Sequence, residues 1–60
     1  MKILIVEDEP SLREIMSRAL TQEHYVVETA STFAEADAKI AGYDYDCILL
    51  DIMLPDGNGL

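Results

Sequence analysis

The chain is short of positive charge. Lys2, Arg13, Arg18 and Lys39 are its only cations against 12 acidic residues, which leaves a net charge of −8 over 60 residues. A surface of that sign repels phosphate backbones and anionic headgroups, so it disfavours nucleic acid and membranes as direct partners of this segment. Any phosphorylated ligand would need a metal ion to approach. Cysteine is equally scarce: Cys47 alone cannot close an internal disulfide, and its place inside an apolar run points to a buried thiol in a reducing cytoplasm. The single histidine, His24, stands beside Glu23 at an expected helix end, exposed and without the partner that a metal or catalytic pair requires. No apolar stretch approaches the ~20 residues of a membrane span. The N-terminus runs from Lys2 into a short apolar run rather than the longer core of a signal peptide. Nor are there internal repeats or low-complexity linkers. No glycine-rich loop follows the first apolar run, which argues against a module that cradles a phosphorylated cofactor through backbone N–H groups.

Half of the residues are hydrophobic and well patterned, as in a globular chain. A domain of this size buries only about 60% of the surface its unfolded form exposes, so its core is marginal. The apolar pattern reads strand, helix, strand, helix, strand. Residues 2–6 are apolar on both faces beyond Lys2, as in a buried parallel strand. Asp8 or Glu9 then caps a helix with Pro10 in its first turn. Leu12, Ile15, Met16, Ala19 and Leu20 form a stripe that is expected to cover one sheet face, with the helix ending near Gln22. Residues 25–30 form a second strand, in which Glu28 marks an edge. Ser31 or Thr32 caps a second helix through the box Thr32-x-x-Glu35. Phe33, Ala36 and Ile40 share a face of it, and Gly42 is its stop. A third strand spans about 46–50. Alternating β and α units imply right-handed crossovers and a parallel sheet.

The acids are what carry function. Glu7 and Asp8 directly follow the run Ile3-Leu4-Ile5-Val6, and Asp51 directly follows Cys47-Ile48-Leu49-Leu50. In a sheet of order 2-1-3 both runs end at the switch point between the first and third strands, where α/β sheets bind ligands. Three carboxylates there repel one another unless a divalent cation is held among them, with phosphate as its natural further ligand. Each acid also has a plainer reading: Asp8 alone serves equally as a helix cap, and Asp44, Asp46 and Asp56 as loop and turn residues.

Together with Pro55 and Gly59, four and eight residues after Asp51, these runs resemble the receiver domain of two-component response regulators along all 60 residues. The resemblance implies a flavodoxin-like α/β fold and a phosphoacceptor at Asp51. It implies Mg²⁺ held by Glu7, Asp8, Asp51 and the backbone carbonyl of Met53, and a sensor histidine kinase as phosphodonor. Glu7 stands where many receivers carry Asp, a common variant. By the same resemblance the stripe of Ser11, Ile15 and Arg18, with Pro55, helps dock the kinase, although core packing is an almost equal reading for Ile15. A receiver of this type has two further strands, which would carry a hydroxyl and a lysine for the phosphoryl group and a switch aromatic. The chain is therefore expected to be the N-terminal part of a receiver, β1-α1-β2-α2-β3, with impaired phosphorylation. Its third strand would be left as a bare edge that invites a homodimer near residues 47–50. Two rivals stand beside this reading. One is an inactive half-domain that self-associates. The other is a Mg²⁺-dependent aspartyl phosphohydrolase of the haloacid-dehalogenase kind, weakened because Met53 stands where those enzymes place a second Asp.

Overall fold

The computed structural model describes residues 1–51, so the expectations that fall on Met53 and Pro55 lie outside the described residues. The elements follow in the expected sequence: β1 (Lys2–Glu7), α1 (Pro10–Gln22), β2 (Val26–Ala30), α2 (Phe33–Gly42) and β3 (Cys47–Asp51). Both strand pairs are parallel and the order is β2-β1-β3, as expected. Central β1 is sealed on both faces. Leu4, Ile5 and Val6 are fully buried and Ile3 nearly so, which is why this strand has no polar alternation. Leu4 and Val6 join Ala30 and Ala36 in the core beneath α2, with Tyr45 packed against it. Strand alternation sends Ile3 and Ile5 to the opposite face.

Local signals set the helix ends. Glu9, not Asp8, is the N-cap of α1: its side chain accepts the Leu12 N–H at 2.7 Å, and Pro10 occupies the first helical position, where no N–H is missed. Thr32 caps α2 by accepting the Glu35 N–H at 3.0 Å. The Glu35 carboxylate reaches one residue further back than a simple capping box, to the Ser31 N–H and hydroxyl, both at 2.9 Å. These two bonds, with Lys39 and Arg13 nearby, hold the Glu35 carboxyl below its ordinary value despite partial desolvation. Gly42 is the last helical residue, and the helix stops because Tyr43 is extended (φ −142°) rather than through a left-handed glycine.

Three packing expectations are corrected. The stripe of α1 does not cover the sheet as drawn: Leu12, Ile15 and Ala19 are exposed, and the half-buried positions are Arg13, Met16, Ser17 and Leu20. At roughly 100° per residue the apolar stripe is wider than the contact, and only its Met16–Leu20 side meets the sheet. Ile15, 60% exposed, lies nearly opposite Arg13 and is no core residue. On α2 only Ala36 is buried, while Phe33 and Ile40 are exposed. Cys47 is half-buried rather than buried, because β3 is an edge strand. Glu28 on the other edge strand is placed as expected.

Candidate functional site

The fold turns a separation of more than forty residues into adjacency. Glu7 and Asp51 are register partners across the β1–β3 ladder, the last pair of that ladder, at the carboxyl edge of the sheet. Asp8 follows at once in the turn into α1. Because Glu9 performs the capping, the carboxylate of Asp8 is free of that duty and stays exposed, as does that of Asp51.

Glu7 differs from both. It is buried at 1% exposure. Its Oε2 accepts the Glu9 N–H at 2.9 Å, whereas its Oε1 is buried without a hydrogen-bond partner among the described residues. The hydrogen bond from Glu9 pulls the Glu7 carboxyl down, but burial and the carboxyls of Asp8 and Asp51 outweigh it and hold the group above its ordinary value. A buried, unpartnered carboxylate oxygen beside two further acids is a costly arrangement that a cation relieves. The donor set is all hard oxygen, which suits Mg²⁺ or Ca²⁺ and not the softer metals. Among the described residues no group of three or more Asp, Glu, His or Cys side chains is placed to hold a metal ion by itself.

Arg13 was not anticipated as part of this edge. From the inward face of α1 its Nη1 donates to the Glu7 carbonyl at 3.0 Å. The signal available was the spacing alone, a cation six residues after Glu7 and thus about one turn into the helix. The other cations are engaged elsewhere. Lys2 and Lys39 approach Glu28 at 3.8 and 3.7 Å, and Arg18 pairs with Glu14 at 3.0 Å on the outer surface of α1. Ser11, Ile15 and Arg18 do share an exposed flank beside the acids.

A parallel sheet of order 2-1-3 with acids at its switch point defines the flavodoxin-like class of α/β proteins, whose ligands bind at that edge. The response regulator receiver domain model matches residues 3–60, and the chain belongs to that family. It is 44% identical over 59 residues to the transcriptional regulatory protein TcrA of Mycobacterium tuberculosis, covering 98% of this chain and 23% of TcrA. It is 47% identical over 60 residues to the transcriptional regulatory protein PmrA of Pectobacterium parmentieri, covering 100% of this chain and 27% of PmrA. Among solved structures it resembles the response regulator TrrA of Thermotoga maritima in complex with Mg²⁺-BeF, with a TM-score of 0.83 at 41% identity, over 90% of this chain and 47% of TrrA. The non-phosphorylated HemR receiver domain of Leptospira biflexa gives a TM-score of 0.80 at 43% identity, over 97% of this chain and 47% of that one. The chain thus spans about a quarter of these curated relatives and just under half of the solved receivers.

Proposed function

We propose that this chain is the acid-bearing, N-terminal part of a receiver domain that accepts a phosphoryl group on Asp51 from the phosphohistidine of a sensor histidine kinase. The adjacency of Asp51 to Glu7, whose buried Oε1 lacks a hydrogen-bond partner among the described residues, carries the reading. The family membership and the Mg²⁺-BeF complex of TrrA support it. In the transfer an Asp51 carboxylate oxygen attacks phosphorus in line. The P–N bond breaks with its electron pair going to the histidine ring, and an acyl phosphate results. Water later attacks phosphorus and returns the free carboxylate and inorganic phosphate. A carboxylate is a weak nucleophile, so the gain comes from orientation and from neutralising the phosphoryl oxygens. Glu7, Asp8, Asp51 and the Met53 carbonyl would hold Mg²⁺, which when bound supplies that neutralising charge. Glu7 is fixed by the Glu9 N–H and by burial, so it presents its unpartnered oxygen without reorganising. Asp51, at the exposed strand end, remains accessible to a donor.

The protein acts in signalling as a phosphoacceptor rather than as a stand-alone enzyme, in the cytoplasm. The transcriptional regulators among its relatives support this, and no helix of the described residues is long and apolar enough to cross a membrane. Kinase docking falls to the exposed flank of Ser11, Ile15 and Arg18 together with Pro55. A second reading, a half-domain that self-associates through β3 with little phosphorylation, is favoured by the exposed Ile48 and Leu50.

Incubation with a small phosphodonor, with and without Mg²⁺, followed by intact-mass measurement separates the two. A Mg²⁺-dependent adduct of one phosphoryl group that disappears in Asp51→Asn is expected. Its absence from the wild-type chain would leave only the second reading.

A further inference from the structure

We infer that Arg13 is a positioning residue for the acid cluster, holding the strand-to-helix turn that carries Glu7 and Asp8 through its bond to the Glu7 carbonyl. The inference rests on the function proposed above and concerns a residue that touches neither phosphate nor metal. Three observations meet here. Arg13 Nη1 donates to Glu7 O at 3.0 Å, across a part-buried gap and from the inward face of α1. That carbonyl closes β1, so fixing it fixes the peptide leading to Asp8 and the root of the buried Glu7 side chain. The other three cations are occupied with Glu28 or Glu14, which makes Arg13 the cation that the chain places beside its acids.

The choice of acceptor is informative. A guanidinium seated on the carboxylates would neutralise them and compete with a metal ion. Bonded to the backbone instead, it stiffens the turn and leaves the carboxylate oxygens available. The Arg13 N–H also donates to the Glu9 carbonyl at 2.9 Å, and the Glu9 side chain caps the helix, so helix start and strand end are tied through one residue. Outer partners of this kind set ligand orientation, and their loss typically weakens metal binding tenfold or more.

The positioning role and a mere charge effect move metal affinity in opposite directions. Removing a nearby positive charge should by itself tighten cation binding. Losing the clamp should weaken it.

The test titrates Mg²⁺ into the wild-type chain, Arg13→Met and Arg13→Lys, followed by backbone amide shifts of Asp8, Glu9 and Asp51, with thermal unfolding in parallel. Affinity about tenfold weaker in Arg13→Met and largely recovered in Arg13→Lys is expected. Tighter binding in Arg13→Met, or unchanged binding with only a lower melting temperature, would overturn the inference. A metal-free arm uses the wild-type chain alone. The Arg13 Nη protons should give resolved, slowly exchanging resonances, with the exposed Arg18 as internal reference. Averaged signals for both arginines overturn the clamp even if Arg13→Met fails to fold. Absence of any saturable Mg²⁺ response in the wild type refutes the metal reading instead, and the guanidinium resonances still judge Arg13.

Discussion

His24 holds a backbone φ of 70°, the left-handed region, just past the end of α1. Its N–H donates to the Thr21 carbonyl at 2.9 Å and that of Tyr25 to Leu20 at 3.3 Å, so the reversal satisfies helix-end carbonyls. Glycine is the usual occupant of such a position because it has no Cβ to strain. Replacing His24 by glycine is therefore expected to stabilise the chain by about 0.5–1 kcal/mol, the relief of strain exceeding the entropy glycine adds to the unfolded state. In a domain this small that is a rise in melting temperature of roughly 2–8 °C, checked by thermal unfolding. The sequence showed a helix ending near Gln22 but not this conformation, because histidine enters the left-handed region only when the surrounding bonds require it. At the acid edge the sequence offers Asp8 and Glu9 as caps, two adjacent carboxylates of which Asp is the commoner cap. Geometry gives the duty to Glu9 and so leaves Asp8 available.

Element pairing at the other end of the sheet rests on a polar cluster. Tyr45 donates its hydroxyl to Glu28 at 2.9 Å, Lys2 and Lys39 flank the same carboxylate, and the Lys2 ammonium lies 4.6 Å from the Tyr43 ring centroid and 5.2 Å from that of Tyr45. The Asp46 carboxylate accepts the Lys2 N–H at 2.7 Å, so a residue whose plainer expectation is a solvated loop ties the start of β1 to the approach to β3. The Tyr45 bond, aided by both lysines, holds Glu28 below its ordinary value against some desolvation, while burial and the Glu28 carboxylate push the Tyr45 phenol up to about 12. A carboxyl with a depressed folded value stabilises the fold above its unfolded value of 4.5, and the contribution is lost as pH falls through the lower, folded value. Glu28→Gln should thus lower stability at neutral pH and flatten the acid limb of a urea-midpoint series run from roughly pH 7 to 3. An equal acid slope in both proteins would show that Glu28 does not couple the strands. Glu28 was legible as an edge residue from its charge alone. Its three partners come from β1, α2 and the approach to β3, and no spacing rule connects them.

At the scale of the molecule, the two helices cover β1 and β2 and leave β3 bare. β1 is sealed, but among the described residues β3 is paired only with β1 and leaves Ile48 44% and Leu50 61% exposed on the α2 side. α2 packs over β2 and β1 and does not reach them. An apolar edge strand of this kind is a template for further pairing. Self-association of the chain, increasing with concentration, is expected in light scattering, and Leu50→Lys should suppress it by placing a charge on the exposed strand. A monodisperse monomer at high concentration would count against pairing through β3. The net charge of −8 opposes assembly, so added salt should promote it.

The order of elements, the sealed character of β1, a hydroxyl cap on α2 and the placing of Glu7, Asp8 and Asp51 at strand ends were all determined by the sequence, because each depends on neighbours within a turn or a strand. Period and capping chemistry are local, and acids placed directly after apolar runs mark strand ends in a parallel sheet. Only the tertiary structure decided which part of the α1 stripe faces the sheet, since helix rotation is set by what the helix packs against and Ile15 has no partner there. Likewise the burial of Glu7 beside Asp51, and the reach of Arg13 to the Glu7 carbonyl, exist only once β3 lies against β1 and α1 folds back over the sheet. Glu7 and Asp51 are far apart in the chain, and the energies of both contacts depend on burial and distance, which no linear pattern contains.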